Sequence, residues 1–228
     1  MKREIVAWFS IFALFTTLTV KGIFKGIDRI IADVIIIYAN PVLDRIFSVI
    51  RSLGHPGLCF LIASIISTYA FLKRAKKFAI FSFIIFILLV NTGYGLKNII
   101  KRERPSDFYY RENPWYLRFP ENIIPGPLHM KFAEKEKVYI KKSYSYPSGH
   151  SLRTFFLFFV LAMLVDKTKL SKREKDILRG IFYGLIISIG FSSIYLGAHW
   201  LSDIIGAYIL AYVFYLILSY SATYEKIS

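Results

Sequence analysis

The stretch YPSGHSLRTFFLFFVLAMLV, residues 146–165, places Pro-Ser-Gly-His at the mouth of a long apolar run. The run from 151 to 165 is short for a bilayer crossing, which takes about 17–25 helical residues. It reaches that length if the helix starts at Ser148 and its polar first turn lies at the interface. Near-continuous apolar runs at about 4–20, 56–72, 78–96, 180–198 and 204–220 need no such help. The expectation is an all-α polytopic membrane protein with six transmembrane helices. Its 55% hydrophobic residues exceed the soluble range, and 228 residues suit a single domain, 1–228, with no internal repeat. The first run resembles a signal peptide in length, but TTLTVKG (16–22) offers no small-residue cleavage site, so a retained anchor is expected.

Charge sets the expected orientation. Lys2 and Arg3 precede the first span, Lys73, Arg74, Lys76 and Lys77 separate the second and third, and Lys167, Lys169, Lys172, Arg173 and Lys175 separate the fourth and fifth. These belong inside, with both termini. The turn between spans five and six has no Lys or Arg, which suits the outer face, as does the long segment 101–147, whose basic residues weigh less in this rule. A net charge of +15 excludes little by itself. It favours anionic headgroups or phosphates over nucleic acid, because the basic residues bracket apolar spans. Cys59, the one cysteine, lies in a span and has no internal disulfide partner.

Residues 21–55 read as amphipathic helix near the outer surface. Leu43, Ile46, Phe47, Ile50 and Leu53 recur at helical spacing opposite Asp44, Arg45, Ser48 and Arg51. Asn40-Pro41 starts that helix and Gly54-His55-Pro56 stops it, with His55 a loop-end residue. Residues 105–146 interleave Phe108, Tyr109, Tyr110, Trp115, Tyr116 and Phe119 with Arg111 and Arg118, an interfacial aromatic belt or a lid over a lipid headgroup.

Polar chemistry converges on one end of the spans. Lys97 and Arg104 stand two helical turns apart and share a side if the third span's helix persists toward Pro105. A helix starting near Ser148 offers unpaired amides and its positive dipole end to an anion, Gly149 allows close approach, and His150 stands beside it. His199 and Asp203, four apart, share a face on a helix, so the carboxylate can fix the imidazole tautomer and leave the other nitrogen as a nucleophile. Cations, a helix-start anion site and an oriented histidine together describe phosphoryl transfer without metal. No cluster of metal ligands is apparent, and no cofactor is expected.

The pattern K-x6-R-P at Lys97 to Pro105, P-S-G-H at 147–150 and SSIYLGAHWLSD at 192–203 resembles the three signature motifs of the type 2 phosphatidic acid phosphatase (PAP2) superfamily of membrane lipid phosphatases. The likeness covers roughly residues 56–220. It implies that His199 attacks phosphorus to form a phosphohistidine, Asp203 orients it, and His150 protonates the leaving oxygen. Lys97, Arg104 and the backbone of Ser148 and Gly149 would hold the phosphoryl oxygens. The family's third motif begins Ser-Arg, whereas Ser193 stands at the arginine position. Arg153, three residues after His150, is the expected substitute. The partner implied is a membrane lipid phosphate: phosphatidic acid, phosphatidylglycerophosphate, undecaprenyl pyrophosphate or lipid A 1-phosphate. A bacterial inner (plasma) membrane with the site on the periplasmic face is the expected setting. A lipid phosphotransferase using the same intermediate, or a non-catalytic lipid-binding or transport protein, are the alternatives.

Overall fold

The structure is a computed structural model and describes residues 2–106, 109–111 and 144–222. In chain order its helices are α1 (Lys2–Val20), α2 (Lys25–Ile37), α3 (Pro41–Ser52), α4 (Pro56–Leu72), α5 (Lys76–Ile100), α6 (Gly149–Asp166), α7 (Lys172–Tyr195) and α8 (Leu201–Ala222). Among the described residues there are six candidate membrane spans, the second falling within Pro41–Leu72. The all-α expectation and the number of spans agree with the sequence reading.

α6 is the hub, packing against α4, α5, α7 and α8, while α1 docks on the outside of α8. Burial follows: 56% of the spanning windows of α6 and α8 is enclosed by protein, against 11% for α1. Lipid is as apolar as leucine, so exclusion from water cannot drive these contacts within the bilayer; close packing does. Cys59, Ala63, Ile66 and Ala70 form the buried face of α4, and Ala79 and Gly93 lie on that of α5. A methyl group at Gly93 would meet Leu152 of α6 at 2.5 Å, so the C-terminal part of α5 and the start of α6 approach closely because that position has no side chain.

Three expectations are corrected. Span five runs 172–195 and not 180–198, because Ser171 and Glu174 form a reciprocal capping box that starts α7 early. Lys172, Arg173 and Lys175 are therefore first-turn helical residues, and Gly197 to Trp200 form a turn. The third-span helix does not persist to Arg104. Lys101 closes it in the left-handed region (φ 52°), donating to Lys97 O at 3.0 Å, and the chain goes on without helix. The segment 21–55 is two helices whose inward sides carry some of the charge: Asp28 of α2 and Ser48 and Arg51 of α3 are buried beside half-buried Phe47, Ile50 and Leu53, while Ile27, Ile30, Val34, Val42, Ile46 and Val49 are exposed, as are Arg29, Asp33 and Arg45. Asn40 does cap α3 as its sequence implies, accepting from Leu43 N at 2.9 Å. Of the aromatic segment, Tyr109, Tyr110 and Arg111 are described. The belt or lid assigned to Phe108, Trp115, Tyr116, Phe119 and Arg118 lies outside the described residues.

Candidate active site

The turn 196–200 builds the site's floor. The Ser193 carbonyl accepts from both Ala198 N (3.0 Å) and His199 N (3.1 Å), and Gly197 takes a positive φ of 66° that favours glycine. Arg111 braces this turn: its amide donates to Leu196 O at 2.9 Å, its guanidinium donates to Tyr195 O, and it lies 5.0 Å over the Tyr195 ring. Ser193 itself offers nothing to a ligand, since its hydroxyl folds back onto Ile189 O at 3.0 Å.

His199 is buried in that turn, one residue short of α8, so the shared helical face expected for His199 and Asp203 does not exist. They meet across the helix N-terminus instead. Asp203 accepts the Trp200 amide at Oδ2 (2.9 Å), as an acidic residue in a first turn can, and the same oxygen lies 3.5 Å from His199 Nδ1. Nδ1 has no hydrogen bond of its own, leaving Asp203 as the acceptor nearest to hand; such contacts tighten when substrate binds. On the other side of the ring, Arg104 Nη1 stands 3.5 Å from Nε2 and donates to Ala198 O at 2.7 Å. Burial first, then the charges of Arg104, Lys97 and Arg51, hold the His199 imidazole well below its ordinary value of 6.5. Nε2 is thus kept as a lone pair facing cations.

Ser148 caps α6, with His150 in the first turn. The Ser148 amide donates to Asp203 O at 3.2 Å, so it ties the start of α6 to α8 and is not available to an anion as expected. The first-turn amides without an intrahelical acceptor begin at Gly149. The Arg153 guanidinium lies over that point: a methyl group on Gly149 would sit 3.1 Å from Arg153 Nη1, while Nη2 donates to Gly54 O at 2.8 Å. Arg153 therefore reaches back to the corner at Gly54 and lies over the start of α6. Gly54 also fixes His150, because a Cβ there would approach the His150 Cβ and Cδ2 to 2.9 Å. Lys97 spends two of its three N–H donors on Tyr144 O (2.7 Å) and Ser145 O (3.1 Å), which anchors the segment leading into α6 and leaves one donor for a ligand.

Three functional neighbours were not singled out in the sequence. Arg51 is buried at the end of α3, one turn beyond Phe47, which packs on Phe191 and Tyr195 around Ser193. Arg102 donates to Asp203 Oδ1 and to Asp28 Oδ2, at 2.6 Å each. Their signal was present as charges on the polar faces of amphipathic segments, but nothing local distinguishes such a charge from one facing water.

The sequence profile of the PAP2 superfamily fits residues 57–227. The chain belongs to the PAP2 superfamily. It is 23% identical over 189 residues to phosphatidylglycerophosphatase B of Bacillus subtilis, covering 82% of this chain and 78% of that one. It is 30% identical over 138 residues to the undecaprenyl-diphosphatase of Sulfolobus acidocaldarius, covering 60% and 52%. The crystal structure of a transmembrane PAP2-type phosphatidylglycerolphosphate phosphatase from Bacillus subtilis superposes with a TM-score of 0.76 at 20% identity, over 97% of this chain and 98% of the other. PAP2 membership and the transmembrane fold thus agree with the reading of Lys97–Pro105, 147–150 and 192–203.

Proposed function

We propose that this PAP2 protein hydrolyses a phosphomonoester or pyrophosphate of a membrane lipid at the outer face of the membrane, without a divalent metal, through a phosphohistidine on His199. One observation carries the reading: a buried imidazole with a carboxylate behind Nδ1 and a guanidinium in front of Nε2, each at 3.5 Å. In this mechanism Nε2 attacks phosphorus while Nδ1 keeps its proton and donates it in a hydrogen bond to Asp203, whose carboxylate stabilises the imidazolium as it forms. The bond to the leaving oxygen breaks, and His150 supplies that oxygen's proton. His150, now neutral, takes a proton from water as the water oxygen attacks the phosphohistidine, which releases inorganic phosphate and restores both rings. Arg104, Arg153 and Arg51, the remaining donor of Lys97 and the first-turn amides from Gly149 supply the positive charge for the phosphoryl oxygens.

The names of the relatives direct the choice of substrates to phosphatidylglycerophosphate and undecaprenyl pyrophosphate, with phosphatidic acid and lipid A 1-phosphate completing the panel. The test is phosphate release by purified protein in chelator, together with trapping of an acid-labile phosphoryl group from a labelled substrate. Release that persists in chelator, is blocked by vanadate and disappears in His199→Ala supports the mechanism. Near-normal turnover by His199→Ala, or activity that returns only with magnesium, would falsify it.

A further inference from the structure

The phosphate chemistry does not explain why a fourth arginine and an acidic residue of a surface helix converge on Asp203. Asp28, Arg102 and Asp203 come from α2, the segment after α5 and α8, and they form one buried chain of charge. Arg102 Nη1 donates to Asp203 Oδ1 (2.6 Å) and to Ser202 Oγ (2.7 Å), and Nη2 donates to Asp28 Oδ2 (2.6 Å). Asp28 in turn accepts from Ser202 N at 3.0 Å and Ser202 Oγ at 2.6 Å, so it caps the first turn of α8 from outside. Asp28 and Asp203 are 2% and 0% exposed, and Arg102 only 13%.

We propose that Arg102 and Asp28 are positioning residues for Asp203, which makes the surface helix α2 part of the catalytic apparatus. This rests on the assignment of His199 and Asp203 above. The carboxylate has two oxygens with different tasks. Arg102 occupies Oδ1, and the Trp200 amide occupies one side of Oδ2, so the direction left open at Oδ2 is the one facing His199 Nδ1. A carboxylate held at a single point could rotate; one held at both oxygens cannot. The arrangement also separates charges. A buried carboxylate lacking Arg102 would turn toward the next cations, Lys97 and Arg104, and neutralise the positive charge that the phosphate requires. Arg102 satisfies Asp203 from behind, and Asp28 holds the Arg102 fork so that its second arm stays filled.

A double-mutant cycle tests this, with Arg102→Gln, Asp203→Asn and their combination assayed for phosphate release from short-chain phosphatidic acid in detergent micelles. The positioning role predicts that Arg102→Gln lowers kcat by roughly tenfold or more with KM nearly unchanged. In the Asp203→Asn background the same substitution should then add almost nothing, because the group it acts through is already gone. An equal, additive loss of kcat in both backgrounds, or a rise in KM with kcat intact, would overturn the proposal and leave Arg102 a tether between helices. If Arg102→Gln alone yields no folded protein, the charge-balanced pair Asp28→Asn/Arg102→Gln enters the cycle in its place, with the same two outcomes. Failure of the underlying mechanism is read separately, from the turnover of His199→Ala.

Discussion

Protonation of His199 would remove the lone pair that the proposed mechanism uses, and the pocket opposes protonation through burial and through Arg104, Lys97 and Arg51. Its pKa is lowered, so the ring stays neutral as pH falls through 6.5 and charges only well below that value. The acid limb of kcat/KM, which reports the free enzyme, should therefore lie well below pH 6.5. Replacing Arg51 by alanine removes one depressing charge, so the limb should move to higher pH; a pH–rate profile of the variant beside the parent checks the sign. Arg51 and Arg153 also share the position problem left by Ser193, whose hydroxyl is bonded within α7. A charged hydrogen bond to phosphate contributes about 1.5–3 kcal/mol, so Arg153→Ala or Arg51→Ala should each lower kcat/KM by roughly 10–100-fold. Adding Ser193→Arg to Arg153→Ala should recover part of the loss. Full activity of Arg153→Ala would remove it from the clamp.

At the scale of elements, α2 and α3 depart from the ordinary amphipathic rule at particular positions. A helix on a soluble protein buries its apolar stripe; these bury Asp28, Ser48 and Arg51 and expose isoleucines and valines. The reason is the solvent on each side. Lipid lies outside, where apolar residues belong, and a charged site lies inside, where the polar residues find partners. The corner joining α3 to α4 is equally functional, since Gly54 accepts from Arg153 and touches His150. Gly54→Ala would place a methyl group 2.9 Å from His150 Cβ, so His150 must shift. A displacement of that kind should lower kcat about tenfold or more while leaving helix content unchanged by circular dichroism. A variant with parental kcat would show that the corner does not set the position of His150.

For the whole molecule, the site residues gather at one end of the bundle, where α5 ends, α6 begins and α7 turns into α8. The basic turns at 73–77 and 167–175 lie at the opposite helix ends. The positive-inside rule predicts that those turns face the cytoplasm and that the site faces out. Cysteine scanning checks this: Tyr38→Cys, at an exposed residue between α2 and α3, should react with an impermeant thiol reagent in intact cells, and Lys169→Cys should not. The native Cys59 is buried and should stay silent. Labelling with the reverse sidedness would place the site inside.

The spans were legible from sequence because crossing a bilayer is a property of one contiguous segment: enough apolar residues at 1.5 Å of rise each, without reference to any other part of the chain. The motif residues Lys97, Arg104, Gly149, His150, His199 and Asp203 could be picked out because each lies in a short run that resembles a family motif, but the geometry read from spacing failed for both pairs, since α5 ends before Arg104 and α8 begins after His199. Helix ends were less legible, since the left-handed closure at Lys101 and the turn at Gly197 depend on local bonds that spacing does not reveal. What the tertiary structure alone decided is which charges answer one another. Asp28 meets Arg102 across 74 positions and Ser202 across 174, and Arg153 reaches Gly54 across 99. Such pairs exist because a buried charge must find a partner in the fold, and no segment read by itself contains that partner.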